Sequence, residues 1–364
     1  MTGIAAITMP RWGLTMEEGT LTGWLVGLGE ETRQGVDVIE VESTKLAGTV
    51  EAPATGILRR QVIAVGQTVP VGALVGVIAD ADVGDEAIDA FIATFAPVDL
   101  DVEEGGASEP RIVSVGEHRI NYLRKGGPGP VVLFVHGFGG DAAGWGFVQE
   151  VLAADHDTIA LDLPGHGASS KAISDGSLAG QAAIVADFLR ALDLGPVNLV
   201  GHSMGGGVCI ALAAAHPDHA ASLTLLAPMG LGAEINADYL STFATAQRRR
   251  DVEPALRLLF ADEALVTKAL AEEVVKYKRV DGVSEALAAI ERAILDHGSQ
   301  KAVLREDLAG LAQPVALLAG AEDRIIPPAP VAALGGTLLP SVGHMPQVEA
   351  PDQVIAAIRK VARA

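Results

Sequence analysis

The chain has 364 residues, with 26 lysines and arginines against 46 aspartates and glutamates and a net charge of −20. That length suits two or three domains, and 49% hydrophobic with 20% charged residues is a globular composition. The acidic excess argues against a general nucleic-acid binder, because phosphates attract basic clusters, and the single cysteine, Cys209, excludes a disulfide scaffold or a thiolate metal cluster.

The opening MTGIAAITMPRWG has neither a basic n-region nor an apolar h-region. The long uncharged stretch Leu194 to Pro217 holds Asn198, His202, Ser203 and several glycines, so it reads as strand, turn and helix rather than a membrane span. A cytoplasmic protein is expected.

Residues 1–80 contain an internal repeat. Gly19, Gly29 and Gly35 are spaced ten and six apart, and Gly56, Gly66 and Gly72 repeat that spacing. Short β runs separated by glycine turns predict two copies of one four-strand unit, forming a flattened barrel about a pseudo-twofold axis. VIEV and TVEAP read as strands flanking the turn STKLAG, which places Lys45 where the copies meet. A lysine on an exposed turn is usually a solubilising charge. However, MPRWGLTMEEGTLTGWLVGLGE, VESTK, EAPATGIL and VGQTVPVGALVGVI together resemble the lipoyl domain of 2-oxo-acid dehydrogenase complexes across residues 7–79. The resemblance implies lipoate carried as an amide on Lys45. Thr44 stands where that family commonly has Asp, and Thr44 and Leu46 differ from the methionines that flank a biotinylated lysine.

Residues 81–110 carry no basic side chain and nine acidic ones, and end in DVEEGGASEP, which reads as a solvated linker. Within it Ile88, Phe91, Ile92 and Phe95 fall at helical spacing, with Asp82 or Asp85 as N-cap and Pro97 as the stop. Such a helix either packs on one of its own domains or docks another subunit.

From residue 111 to 364, apolar strands alternate with helices, which predicts a mostly parallel, doubly wound sheet covered on both faces. GHSMGG, Gly201 to Gly206, fits G-x-S-x-G between the strand VNLV and an alanine-rich helix. Ser203 is the candidate nucleophile. A serine needs a base and the base an orienting acid. His344 in SVGHMPQ and Asp323 in GAEDR follow in the required order, with Glu322 as fallback acid. HGFGG, His136 to Gly140, supplies a second oxyanion donor, so the backbone amides of Phe138 and Met204 are expected to meet the developing charge. His136 and His202 are expected to brace loops, Asp162 and Cys209 to be structural, His166 to be a turn residue, and His118, His156, His216 and His219 to lie in surface or loop positions.

These motifs resemble the α/β-hydrolase family across residues 111–364. Residues of about 229–311 break the strand pattern and predict a helical lid, built from QRRRDVEPALRLLF and EEVVKYKRVDGVSEALAAIERAIL. Arg248, Arg249 and Arg250 are either a solvated helix face or a clamp for the phosphates of coenzyme A. The chain lacks the H-x-x-x-D-G motif of the usual acyltransferase components. A lipoyl domain fused to a hydrolase fold instead resembles the acetyltransferase components of acetoin dehydrogenase complexes. That resemblance implies acetyl transfer from S-acetyl-dihydrolipoyl-Lys45 to coenzyme A in acetoin breakdown. It also implies two partners, a thiamine-diphosphate-dependent acetoin dehydrogenase component and a dihydrolipoamide dehydrogenase, and it calls for no metal. The rival readings are a serine esterase or thioesterase with a lipoyl tether, and a carrier without catalysis.

Overall fold

A computed structural model describes residues 4–10, 18–43, 47–93 and 110–362. They fall into two compact units, Met1–Gly105 and Gly106–Ala364.

The first unit contains strands β1 (Ile4–Thr8), β2 (Glu18–Trp24), β3 (Glu31–Thr32), β4 (Asp37–Glu42), β5 (Ala47–Glu51), β6 (Gly56–Gln61), β7 (Thr68–Pro70) and β8 (Leu74–Ala79). They form two four-stranded antiparallel sheets, ordered β1-β8-β6-β3 and β5-β4-β2-β7. The repeat read from the glycines is the repeat of the fold. Gly29 and Gly66 take φ of +86° and +91°, and Gly35 and Gly72 take +83° and +85°, a region that costs a side chain strain and glycine none. The core repeats as well. Leu21 and Leu58, Val38 and Val75, and Val41 and Ile78 are equivalent pairs, each residue at most 1% exposed and all in one cluster. Lys45 lies outside the described residues. Its flanks are described: Glu42 and Ala47 are paired partners at the end of the β4–β5 ladder.

Helix α1 (Asp85–Ile92) belongs to this unit rather than to a solvated linker. Ile88 is fully buried, and Phe91 and Ile92 pack with it against Leu74, Val77 and Ala79 of β8. The physical reason is in β8 itself, whose six residues are all buried, so both of its faces need cover. Arg59 pairs with Asp85 at 3.0 Å, and Arg60 with Asp85 at 3.2 Å and Asp89 at 3.0 Å. The cap is Gly84, without a side-chain bond, rather than Asp82 or Asp85. Phe95 and Pro97 lie outside the described residues. The described part of the apolar stripe, Ile88, Phe91 and Ile92, is therefore occupied by the helix's own domain. Ile88→Ala in the full chain is expected to destabilise this unit by about 2–4 kcal/mol. Hydrogen exchange of the β8 amides reads that loss directly, whereas a helix held only by a partner would leave them unchanged.

The second unit opens with the hairpin β9 (Arg111–Val115) and β10 (His118–Lys125), followed by β11 (Val131–Val135), α2 (Gly146–Leu152), β12 (Asp157–Leu161), α3 (Leu178–Ala191), β13 (Val197–His202), α4 (Met204–Ala215) and β14 (Ala220–Leu226). An insertion then holds α5 (Ala237–Thr245), α6 (Arg249–Arg257), α7 (Lys268–Lys278), α8 (Val283–Ile294) and the two-residue strands β15 (Leu295–Asp296) and β16 (Ser299–Gln300). After it come α9 (Arg305–Ala309), β17 (Val315–Gly320), α10 (Ala329–Ala333), β18 (Thr337–Leu339), α11 (Pro346–Glu349) and α12 (Pro351–Val361). The eight-stranded sheet runs β18-β17-β14-β13-β11-β12-β10-β9, parallel from β18 to β12 and antiparallel at β10 and β9.

Val132, Leu133, Phe134 and Val135 are all 0% exposed, so helices cover both faces of this sheet. Helices α2 and α12 share one core with Phe134, Trp145, Val200 and Leu318. Helix α4 packs on β13 and β14 and against α3. The second long helical pattern of the insertion is two helices, because Gly282 at φ +83° breaks it. Helix α9, near the end of the expected lid, packs against α4.

Candidate active site

β13 ends directly in Ser203, and α4 begins at the next residue. Ser203 holds φ +53° and ψ −118°, a conformation a non-glycine residue keeps only where its surroundings impose it. Here they do. The Ser203 amide donates to Leu226 O at 2.9 Å, and its carbonyl accepts from Gly206, Gly207 and Met229 amides at 2.9, 3.2 and 2.9 Å. A Cβ on Gly205 would lie 2.2 Å from Val135 O, and one on Gly201 2.6 Å from Gly205 O. The motif's glycines are therefore points where strand and helix backbones touch. Gly137 has the same role in the facing loop, because a Cβ there would lie 3.0 Å from the Ser203 Cβ.

The loops after β17 and β18 bring two more side chains to the serine. His344 Nε2 is 3.0 Å from Ser203 Oγ, and its Nδ1 is 2.8 Å from Asp323 Oδ2. With Nδ1–H donating to the carboxylate, Nε2 is free to accept the serine proton. The other carboxylate oxygen, Oδ1, accepts the amides of Ile325 and Ile326 at 2.8 and 3.0 Å. Burial pushes the Asp323 carboxyl up, but the charge of His344, its hydrogen bond and those two amides outweigh burial and hold it below its ordinary value. Glu322 is exposed and stands apart from this cluster.

Among the described residues, no backbone hydrogen bond engages the amides of Phe138 or Met204. Gly139, next to Phe138, has φ +74°, and a Cβ there would lie 2.2 Å from the Phe243 ring of α5. The insertion thus presses directly on the loop after β11. Arg248, Arg249 and Arg250 are exposed at the start of α6. Arg249 pairs with Glu253 at 3.1 Å and Arg250 with Asp251 at 3.6 Å, and no bond joins the triplet to the serine cluster.

The bracing groups are buried. His136 Nδ1 is 2.8 Å from Gly137 O, and its Nε2 accepts the Leu163 amide at 3.0 Å. Asp162 accepts from Ala142 and Ala168 amides, each at 2.7 Å, and from Asn121 Nδ2 at 2.8 Å. Cys209 is buried, which pushes its thiol up. His166 is more than a turn residue. It is fully buried, its ring 4.8 Å from that of His136. His118, 9% exposed, is buried at the start of β10 rather than on the surface or in a loop, and His156, 7% exposed, is buried within the loop between α2 and β12. Lys278 of α7, which sequence reasoning passed over, is buried and donates to the Phe243 and Ala244 carbonyls at the end of α5. Nothing in its neighbourhood in sequence marks it, because its partners are backbone oxygens.

His202 Nε2 lies 2.7 Å from the His344 carbonyl oxygen, tying the base loop to the residue before the serine. Burial first, and the neighbouring His344 second, push the His202 imidazole down to about 3 from an ordinary 6.5. Between those values the unfolded chain binds a proton that the folded one does not. The stabilisation is therefore complete above pH 6.5 and is lost as pH falls toward 3. Urea titrations should show His202→Gln, which keeps the donor to His344, losing less stability on acidification. The slope difference has a ceiling of about 1.4 kcal/mol per pH unit.

Comparison with known proteins agrees with this geometry. A family model described as alpha/beta hydrolase fold matches residues 130–351, and a biotin–lipoyl model described as biotin-requiring enzyme matches residues 5–78. A meta-cleavage product hydrolase structure shares the fold, with TM-score 0.62 and 21% identity over 69% of this chain and 97% of that one. Two curated relatives match along almost their whole length. Both are named as the dihydrolipoyllysine-residue acetyltransferase component of an acetoin cleaving system. The Cupriavidus necator protein is 41% identical over 98% of this chain and 97% of its own, and the Pseudomonas putida protein is 42% identical over 99% and 100%. A lipoyl-type domain, a hydrolase-fold domain and full-length similarity coincide in one chain, and it belongs to the family of acetoin-system dihydrolipoyllysine-residue acetyltransferases.

Proposed function

We propose that this protein moves an acetyl group from S-acetyl-dihydrolipoyl-Lys45 to coenzyme A in acetoin breakdown, with Ser203 as the relay. The observation that carries the reading is the His344 bridge between Ser203 and Asp323 in a chain similar along its whole length to acetoin-system acetyltransferases. Lysine is the right donor for the carrier, since its amine forms a stable amide with a carboxylic acid. Lipoate on Lys45 supplies the thiol that bears the acetyl group.

Ser203 Oγ attacks the acetyl carbonyl carbon while its proton passes to His344 Nε2, and Asp323 stabilises the imidazolium. The amides of Phe138 and Met204 meet the negative oxygen. The carbon–sulfur bond breaks and the departing sulfur takes the proton from His344. The thiol of coenzyme A then gives its proton to His344 and attacks the serine ester, and Ser203 recovers a proton as acetyl-coenzyme A leaves. A thiamine-diphosphate-dependent component would supply the acetyl group, and a dihydrolipoamide dehydrogenase would reoxidise the dithiol. The hydrolase-fold relatives favour a second reading, an esterase or thioesterase, which would release acetate instead of acetyl-coenzyme A.

Ser203→Ala is expected to lower acetyl transfer between dihydrolipoamide and coenzyme A by about 10⁴ or more. Lys45 should stay lipoylated by intact mass. Near-normal transfer in that variant would mean direct thiol-to-thiol exchange. Arg248, Arg249 and Arg250 form the candidate phosphate clamp. Replacing all three with glutamine should raise the KM for coenzyme A about a hundredfold, each charge-assisted contact contributing roughly 1 kcal/mol, while kcat is kept. An unchanged KM would return the triplet to a solvated helix face.

A further inference from the structure

The chain that leaves α6 runs between the loops of the candidate base and acid. The His344 amide donates to Leu259 O at 2.8 Å. One carboxylate oxygen of Glu349 accepts the Ala261 amide at 2.7 Å, and the other accepts the Gly343 amide at 2.8 Å. On the other side Arg324, next to Asp323, donates to Phe260 O at 2.7 Å and to Arg257 O, and pairs with Glu263 at 2.9 Å. The packing leaves no slack, since a Cβ on Gly343 would lie 2.7 Å from the Ala261 nitrogen.

We propose that Glu349 is a positioning residue which, with Arg324, bolts residues 257–263 of the insertion to the His344 and Asp323 loops, so that the imidazole is aimed at Ser203 only while the insertion is seated. The proposal rests on the reading that Ser203, His344 and Asp323 do the chemistry. A carboxylate suits the task because both of its oxygens accept, and here they face peptide N–H groups from two separate segments. An amide keeps one acceptor and turns an NH₂ toward the other N–H, so Glu349→Gln must break one side of the link. Neither residue touches the serine, so the effect travels through the geometry of the base.

The test uses the full chain carrying Glu349→Gln, with Arg324→Gln as a second variant at a 40% exposed side chain that the fold tolerates more readily. Both acetyl transfer and Ser203-dependent hydrolysis of 4-nitrophenyl acetate are measured. Glu349→Gln is expected to lose about 10² in kcat, the scale of an ångström's misplacement, with KM for coenzyme A unchanged. The downfield proton signal of His344 Nδ1–H should broaden although the circular dichroism and melting temperature are kept. Arg324→Gln should lose less, in the same direction. Parental kcat in a folded Glu349→Gln overturns the proposal, as does a loss that only tracks the unfolded fraction. If Glu349→Gln does not fold, parental kcat in Arg324→Gln overturns it. Ser203→Ala, run alongside, separates the two levels. Transfer that survives it refutes the relay alone, leaving ester hydrolysis to judge Glu349, whereas ester hydrolysis that survives it refutes both.

Discussion

The backbone of one serine, held at φ +53°, is the constraint on which the second unit depends. That conformation costs on the order of 1–3 kcal/mol and persists only when neighbours leave no alternative. The neighbours are the central strands. β13 lies between β11 and β14, so the end of each flanking strand can reach the turn: Gly137 from one side, Leu226 and Met229 from the other. The acid and base loops then need only extend from β17 and β18, farther along the same sheet edge. A parallel sheet delivers all these loops to one end of its strands, which is why the hydroxyl of Ser203, the imidazole of His344 and the carboxylate of Asp323 meet there.

The insertion is part of this arrangement rather than a separate cover. It touches the site loops at several places, among them Phe243 on Gly139, the Tyr277 hydroxyl 3.2 Å from the Gly167 amide, and Leu259 on the His344 amide. The buried ammonium of Lys278 holds the end of α5, where Phe243 sits, and lies 4.8 Å from that ring's centre. Burial lowers this amine to about 8, and its partners are the Phe243 and Ala244 carbonyl oxygens, so it contributes as a hydrogen-bond donor.

What the sequence disclosed and what it hid follow from whether a residue acts locally. The G-x-S-x-G turn is a local steric demand, so Ser203 could be read from its own neighbours. The repeat was readable because a positive φ demands glycine at Gly29, Gly35, Gly66 and Gly72. Choosing Asp323 over Glu322 rested on the strand end; in the structure Asp323 is the one whose carboxylate its own loop amides hold. The partner of α1 was obscure because helical periodicity reveals an apolar stripe and not the surface that covers it, although the unbroken apolar run LVGVIA just before it already asked for cover on two faces. His118 was misplaced because its burial is set by tertiary packing, which its own neighbours do not show. Glu349 and Lys278 were silent because they speak to peptide groups, which every sequence shares.

The strand order of the first unit bears on how that unit is made. Each repeat lends its short strand to the other's sheet: β3 sits beside β6, and β7 beside β2. Likewise β1, at the very start, pairs with β8, the last strand to be synthesised. Neither repeat can close its hydrogen-bond ladder alone, and the N-terminal strand has no partner until β8 is present. The eight strands must therefore form together, in one late, non-local step. During translation the first repeat emerges with β1 and β3 still lacking their partners, and it waits for the second repeat before either is paired.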